Sequence, residues 1–362
     1  MINHLWKISI WLWVAAPILG FWSGVNPRIS QIRWWMLASI LVIGFALTQP
    51  VRRQLSRIFG FLLLAFLGIF FIHFLGATPA EEFEKGGVWV ASKMASAWIS
   101  QSVIILTAAA LISERGKFVW ILRAVLGCGI LQVLIMVLQA FNISVPWPSA
   151  GPGPCGTLVK RAALSIFLGS VSIWTTGKKA WFFAIASAIS GSFAGSIPAF
   201  FRLLYRHLAN PMVLAMSLPI ALLLGSFSYT RVSDRVDVWG NAVSFFSQSW
   251  LTGRGFFPLP GSFREDGGGT GFGLALFSDY HSTWLDWIVR TGLIGILILG
   301  AGLFWMFSQV KDGASWRKWS FLMFLWAGTF QSAEAFPVMI LLALCFMIGL
   351  NYQKGSGNVS KV

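Results

Sequence analysis

Long apolar runs alternate with short charged segments along most of the chain. Examples are Trp34–Thr48, Ile58–Ala77 and Phe118–Phe141. About 20 apolar residues in an α-helix cross the hydrocarbon core of a bilayer. A further run, Leu5–Val25, lacks the small-residue cleavage site that ends a signal peptide, so we expect it to remain as a helix. The pattern predicts an all-α, polytopic integral membrane protein.

The charged loops between these runs predict how the helices are oriented. Basic loops alternate with non-basic ones, and basic loops favour the cytoplasmic side of a membrane. Around residues 180–200 the alternation holds only if the chain crosses twice, because Lys178 precedes this stretch and Arg202 follows it. The serine–glycine–serine sequence around Gly191 can end a helix. We therefore predict two short helices that meet at an outer turn near Gly191; one helix that violates the charge rule is the alternative.

With that hairpin, the sequence predicts about 12 membrane helices, both termini in the cytoplasm and one large outer loop at residues 229–280. We divide the chain into N-terminal membrane helices, residues 1–155, and a second membrane region, residues 156–362, that contains this loop. Arg28 and Arg33 depart from the rule, since this topology places them outside.

Composition agrees with a membrane protein. Hydrophobic residues make up 56% of the chain, charged residues only 11%, and the mean hydropathy is +0.73. A soluble domain carries roughly 25% charged residues. The net charge of +15 does not indicate nucleic-acid binding, because the lysines and arginines are scattered among the loops. Two of the three cysteines lie inside apolar runs, so no disulfide framework is predicted.

Several basic residues remain on the predicted outer side or in the outer part of a helix, where the charge rule disfavours them. They are Lys93, Lys160, Arg161, Arg231, Arg235, Arg254, Arg264 and Arg290. Arginine binds phosphate oxygens through two parallel hydrogen bonds. The group therefore suggests a site for an anion, and a diphosphate is the natural candidate.

These cations also have structural interpretations. Arg290 can pair with Asp286, which lies one helical turn before it. Arg235 can stack on Trp239 four residues later, and Arg231 can pair with the aspartate three residues after it. Both interpretations stay open at this level.

His281 lies where the large outer loop meets the next predicted helix. A histidine has an ordinary pKa of about 6.5, which suits proton transfer near neutral pH. A structural role is the alternative for a lone histidine. The sequence has neither a pair of histidines at metal-binding spacing nor a glycine-rich phosphate loop with its lysine, so we expect no metal ion or cofactor.

The segment around His281 carries a resemblance to a known family. His281-Ser282, nine further residues and then Gly292-Leu293-Ile294-Gly295 resemble the signature of the O-antigen ligase and O-antigen polymerase superfamily. Other segments resemble motifs of that family in the expected order: Gly156-Thr157 with Lys160-Arg161, Arg235 with Trp239, and Gly253-Arg254-Gly255. The resemblance covers about Gly156 to Leu299.

Two positions depart from the family pattern. The family often has Ser-Arg-Gly at the outer start of a helix, whereas this chain has Ser192-Phe193-Ala194. Lys160 stands where an asparagine commonly flanks the arginine of the earlier motif. Both departures alter the residues that would bind phosphate.

The resemblance implies transfer of a glycan from a polyprenyl-diphosphate carrier to a hydroxyl of a lipid or glycan acceptor, on the outer face of the bacterial inner membrane. It implies a metal-independent, inverting glycosyltransferase in which His281 is the general base. Arg235 and Arg161 would hold the diphosphate, with Arg231 or Lys160 assisting, and Arg290 is a further candidate. A polymerase of the same superfamily and a flippase of lipid-linked glycans are the alternatives.

Overall fold

A computed structural model of the protein describes part of the chain, and every element within that part is an α-helix. The described residues are 2–19, 38–40, 42, 60, 67, 107, 115–145, 156–158, 161–205, 236, 238–253, 282–310 and 315–330. The helices are α1 (Ile2–Leu19), α2 (Arg115–Ala140), α3 (Arg161–Trp174), α4 (Gly177–Ile189), α5 (Phe193–Leu204), α6 (Thr283–Val310) and α7 (Ser315–Phe330). Residues 238–248 are also helical.

Two of the described helices are long and apolar enough to cross a membrane by their length and composition. They are the stretch Val119–Ala140 of α2 and the stretch Thr283–Trp305 of α6. Helices α3 and α5 are apolar but shorter. The all-helical fold class is therefore confirmed for the described residues, while the prediction of about 12 spans extends over residues outside them.

The two predicted short helices and their turn near Gly191 are confirmed, while the outer position of this turn stays a prediction. α4 ends at Ile189, and α5 begins at Phe193 after a tight turn in which the Gly191 amide donates to the Ala188 carbonyl oxygen at 2.9 Å. Gly191 has φ of +77°, a conformation that glycine adopts without steric cost. Ser192 then caps α5, its side chain accepting a hydrogen bond from the amide of Ala194 at 3.4 Å.

α3 and α5 run parallel to each other and antiparallel to α4. At the far end of the hairpin, the Arg202 guanidinium of α5 donates to the carbonyl oxygens of Ser172 at 2.6 Å and Thr175 at 3.0 Å, where α3 ends. At the near end, Arg161 at the start of α3 lies beside Gly191. The hairpin therefore lies along the full length of α3.

α7 runs antiparallel to both α3 and α6. Its first turns meet the end of α3, where the Trp174 indole donates to the Ser320 hydroxyl at 2.9 Å. Its later turns meet the start of α6, where the Trp284 indole donates to the Leu325 carbonyl oxygen at 3.1 Å. A Cβ atom at Gly328 would collide with the Trp284 ring, so the last turn of α7 also lies at the start of α6.

These contacts define two ends of the helical bundle. The turn end contains the starts of α3 and α6 and the hairpin turn, marked by Arg161, Gly191 and Ser282. The basic end contains the end of α3 and the starts of α4 and α7, marked by Lys178 and Arg202. The main hydrophobic core lies between them and includes Phe167, Phe183, Met136 and Met323.

Candidate active site

Arg161 begins α3 at the turn end and lies against the hairpin turn. Its side chain is half-buried, and a Cβ atom at Gly191 would lie 3.5 Å from its Nη1 atom. No hydrogen bond or ion pair joins its guanidinium to another residue in the described part of the chain. The planar donor set of Arg161 is therefore available to an anion that approaches the turn end.

A serine network fixes the hairpin to α3 beneath Arg161. The Ser165 hydroxyl donates to the Ser192 carbonyl oxygen at 2.6 Å and accepts from the Gly195 amide at 3.1 Å. The Ser187 hydroxyl donates to the Ser165 carbonyl oxygen at 2.7 Å. All of these groups lie among buried small residues, which lets the helix backbones approach closely. A Cβ atom at Gly195 would collide with the Ser165 carbonyl group.

The start of α5 supplies few donors to a ligand. The Ala194 amide is directed to the Ser192 side chain and the Gly195 amide to the Ser165 hydroxyl. Phe193 occupies the position where the family often has arginine, and it is 37% exposed. The positive charge that would bind an anion at this turn therefore comes from Arg161, since α5 contributes an apolar ring instead of a guanidinium.

Two glutamines of α2 hold the loop that leads into α3. The side-chain amide of Gln132 donates to the Thr157 hydroxyl at 2.6 Å and accepts from the Thr157 backbone amide at 2.9 Å. Gln139 makes the same reciprocal pair with the backbone of Gly156, at 2.9 Å and 2.8 Å. Both loop residues are buried. The glutamines thus fix the path of the chain four and five residues before Arg161.

Sequence reasoning missed these glutamines, although a signal was present. Gln132 and Gln139 are seven residues apart, which places them on one face of a helix that is otherwise apolar. A polar side chain within a membrane helix needs an internal partner, because lipid offers none. Gln132 is fully buried and meets that requirement through Thr157.

The glycines of the histidine segment act in packing. α6 is kinked at Gly292, whose φ of 63° and ψ of −158° are non-helical. The kink exposes amides that a straight helix would use internally, and the Leu293 amide donates to the Trp250 carbonyl oxygen at 2.7 Å. A Cβ atom at Gly292 would collide with the backbone of Leu251 and Gly253. Gly292 therefore permits close packing between α6 and the loop at residues 250–253, and this contact joins the backbones of two segments that resemble family motifs.

The segment before this contact also packs on α6. Ala242 and Val289 form a small buried cluster, against which Trp239 and Leu285 pack. Trp239 is the aromatic residue of the arginine–tryptophan motif, so the structure locates that motif's indole beside the first half of α6. Its predicted stacking partner, Arg235, lies outside the described residues.

Arg290 lies on the first half of α6, one turn after Asp286. The Asp286 side chain is buried at 7% exposure, and Arg290 is half-buried. A Cβ atom at Gly253 would collide with the Arg290 carbonyl group, so this arginine adjoins the loop at residues 250–253. The predicted Asp286–Arg290 pair and the role of Arg290 in anion binding both stay predictions.

The remaining predicted site residues, His281, Arg235, Arg231 and Lys160, lie outside the described residues. The neighbour of His281 is described: Ser282 is 2% exposed and caps α6, accepting from the Leu285 amide at 3.4 Å. The expectation that a helix begins directly after His281 is therefore confirmed. Because α6 begins at the turn end, Ser282 and Arg161 lie at the same end of the bundle.

One comparison with known proteins matches this region. The family model described as O-Antigen ligase matches residues 156–300. These limits agree with the stretch over which the sequence resembles that family. No curated protein matches the chain. The matched family consists of bacterial membrane proteins that act on lipid-linked glycans. The match confirms that the region from residue 156 to residue 300 resembles the O-antigen ligase and polymerase superfamily, as the motifs in the sequence predicted.

Proposed function

We propose that the protein transfers a glycan from a polyprenyl-diphosphate carrier to an acceptor hydroxyl, as an O-antigen ligase, on the outer face of the bacterial inner membrane. The observation that supports it most is the meeting of three features at the turn end: the start of α3 with Arg161, the hairpin turn at Gly191, and the start of α6 directly after His281. A cation and a general base are the groups that this reaction requires.

In the proposed reaction, His281 takes the proton of the acceptor hydroxyl. The acceptor oxygen attacks the anomeric carbon of the glycan from the face opposite the diphosphate. A new glycosidic C–O bond forms, the C–O bond to the diphosphate breaks, and the configuration at that carbon inverts. The polyprenyl diphosphate leaves with the bonding electron pair. No metal ion or cofactor takes part in this scheme.

Fixed cations stabilise the charge that develops on the diphosphate. Arg161 is the one whose surroundings support this role, since its guanidinium lies beside the hairpin turn and has no carboxylate partner within the described ranges. Arg235 is the second proposed diphosphate ligand, with Arg231 or Lys160 assisting. Arg290 is proposed to approach the same substrate from α6. In a site with little water, such contacts strengthen because the local dielectric constant is low.

The glutamine-held loop supports this assignment. A phosphate ligand lowers a reaction barrier only if it is fixed before the charge develops, so that no reorganisation is required during the reaction. Four hydrogen bonds from Gln132 and Gln139 fix Gly156 and Thr157. The serine network fixes α5 to α3 one turn after Arg161. Hydrogen bonds therefore fix the backbone both before and after Arg161.

The test is a transfer assay on purified full-length protein in liposomes, with a polyprenyl-diphosphate glycan as donor. A lipid acceptor and a second donor glycan are supplied in separate reactions. We expect glycan to move to the lipid acceptor. Extension of the donor glycan instead would make the protein a polymerase. Movement of the donor lipid across the bilayer without any transfer would show a flippase and overturn the proposal.

A further inference from the structure

Arg317 is a buried cation without a hydrogen-bonded partner for two of its nitrogens. It lies in the first turn of α7, at the basic end, and is 4% exposed. Its Nε and Nη1 atoms are buried and have no hydrogen-bond partner among the residues that the structure describes. Among the described residues, the Arg317 guanidinium makes a cation–π contact with the neighbouring indole, in which Cζ lies 5.6 Å from the centre of the Trp316 ring. A cation–π contact at that distance supplies no acceptor to the N–H groups.

The position of Arg317 adds to its need for an anion. The start of a helix carries a partial positive charge from its unpaired amides, so it favours anions and disfavours cations. Side chains of a helix lean toward its N-terminus, which directs a first-turn arginine toward those same amides. We therefore expect the guanidinium to lie near the amide donors of the first turn. Burial of a cation without an opposite charge is costly, and an anion in this region would remove that cost.

Arg202 lies at the same end of the bundle, and its guanidinium has hydrogen-bond acceptors. Its guanidinium donates to the carbonyl oxygens of Ser172 and Thr175, at 2.6 Å and 3.0 Å. The carbonyl oxygens at the end of α3 therefore accept hydrogen bonds from Arg202, and they are not the partners of Arg317. Within the part of the chain that the structure describes, Nε and Nη1 of Arg317 therefore have no acceptor.

The surroundings of Arg317 are those of a membrane interface. Trp174 of α3 reaches Ser320 of α7 one turn away, and Trp319 contacts the ring of Tyr205 with centroids 5.3 Å apart. Tryptophan and tyrosine concentrate at the level of lipid headgroups. Exposed Lys178 and Lys318 lie at this end, which the charge rule predicts to be cytoplasmic. Anionic phospholipids in that leaflet are attracted to basic segments.

We propose that Arg317 and the first-turn amides of α7 form a binding site for the phosphate of an anionic phospholipid in the leaflet at the basic end. The site is separate from the proposed glycan transfer, since it lies at the opposite end of the bundle from Arg161 and Ser282. The bound phosphate accepts hydrogen bonds from Nε and Nη1 of Arg317 and neutralises its charge. The lipid thereby connects α7 to the bilayer.

The test compares variants of the full-length protein, purified in a neutral detergent and titrated with phosphatidylglycerol or with phosphatidylcholine. Bound lipid is counted by native mass spectrometry. We expect wild type to prefer phosphatidylglycerol and Arg317→Gln to bind it about 10-fold more weakly, because a charge-assisted contact is lost. Lys318→Gln is the matched control: it removes one positive charge from the next residue, which is exposed. We expect its affinity to stay within about twofold of wild type.

Three outcomes would overturn the proposal. Equal affinity of wild type and Arg317→Gln would show that the guanidinium does not bind the lipid. Equal weakening in Lys318→Gln would show that only the overall charge matters. If inorganic phosphate protected wild type against thermal unfolding as well as phosphatidylglycerol does, the site would be assigned to a soluble anion. If Arg317→Gln does not fold, Arg317→Lys decides the matter: it keeps the charge but lacks the planar donor pair, so its affinity should lie below that of wild type.

Discussion

Arg202 and Arg161 lie at opposite ends of the same three-helix unit and are used in opposite ways. Arg202 directs its guanidinium to two carbonyl oxygens at the end of α3, at 2.6 Å and 3.0 Å. Arg161 lies beside the glycine of the hairpin turn, and nothing in the described ranges pairs with it. One arginine completes the backbone hydrogen bonding of a helix, whereas the other leaves its donors to a ligand.

The difference shows why the residue type alone does not identify a binding residue. A helix end has four unpaired carbonyl groups, and an arginine placed there can donate to some of them, as Arg202 does to two carbonyl oxygens. A helix start has unpaired amides, which an arginine cannot satisfy because it has no acceptor. The same type of side chain is therefore structural at the end of α3, where Arg202 lies, and a ligand candidate at the start of α3, where Arg161 lies. Five predictions test this contrast.

The largest effect is expected at His281, which the proposal assigns to the turn end. His281→Gln keeps a similar size and hydrogen bonding but cannot take up a proton, so transfer should fall by about 10²- to 10⁴-fold. Lipid-carrier binding and the melting temperature should change little. Normal turnover in His281→Gln would mean that the histidine is structural.

The two arginines themselves give the next largest effect. Arg161→Gln should weaken stabilisation of the transition state by about 2–5 kcal/mol and leave the melting temperature nearly unchanged. Arg202→Gln should instead lower the free energy of unfolding by about 1.5–3 kcal/mol, since it removes charge-assisted hydrogen bonds. The measurements are transfer rate and thermal unfolding in detergent for both variants. The contrast between the two arginines is wrong if both variants lose the same amount of stability and the same fraction of the transfer rate.

Gly292 and Gly300 offer a matched pair of substitutions within α6. Gly292→Ala should destabilise the protein by more than about 1–3 kcal/mol, because its φ and ψ are almost restricted to glycine and the new methyl meets backbone atoms. Gly300→Ala meets open space in a helix and should be neutral or stabilising by up to about 1 kcal/mol. Thermal unfolding of both variants is the measurement. Equal stabilities would show that the kink is not maintained in solution.

Gln132 tests whether the turn end is held rigidly. Gln132→Leu leaves the buried amide and hydroxyl of Thr157 unpaired, which should cost about 1–3 kcal/mol of stability. Transfer should fall and KM for the donor should rise, because Arg161 follows this loop. Gln139→Leu should cost less, since Gln139 is only half-buried and water can replace it. A lower melting temperature with an unchanged donor KM would limit Gln132 to a structural role.

The smallest perturbation tests which end faces outward. In a background without the native cysteines, Phe193→Cys marks the turn end and Lys178→Cys marks the basic end, and both positions are exposed. We expect a membrane-impermeant thiol reagent to label Phe193→Cys in intact spheroplasts and Lys178→Cys only after permeabilisation. The reverse pattern would place the basic end outside and contradict the charge rule for this region.

The hairpin was predictable because two independent signals agreed on it. The basic residues on either side of residues 180–200 required an even number of crossings, and the serine–glycine–serine sequence supplied a place to turn. The start of a helix after His281 was likewise predictable, since Ser282 precedes a long apolar run and serine is a favoured cap. Both features depend on local sequence, which explains why they could be predicted without a fold.

The kink at Gly292 and the two glutamine contacts could not be predicted in the same way. The contact between Gly292 and the loop at residues 250–253 joins residues about forty positions apart. Gln132 and Thr157 belong to different elements, and the sequence of neither segment indicates that the other is its partner. Such pairings depend on how helices pack, which the periodicity of one segment does not contain.

The sequence by itself determined the membrane character, the all-helical class of the described residues, the hairpin and the resemblance to a family, because hydrophobic length, loop charge and short motifs are local properties. Only the tertiary structure decided how the cations are used. It directed Arg202 to carbonyl groups and left Arg161 beside a glycine turn, and it buried Arg317 without an acceptor in the described part of the chain. The reason is physical: a guanidinium binds whatever acceptors surround it, and packing between distant segments brings those acceptors near or keeps them away.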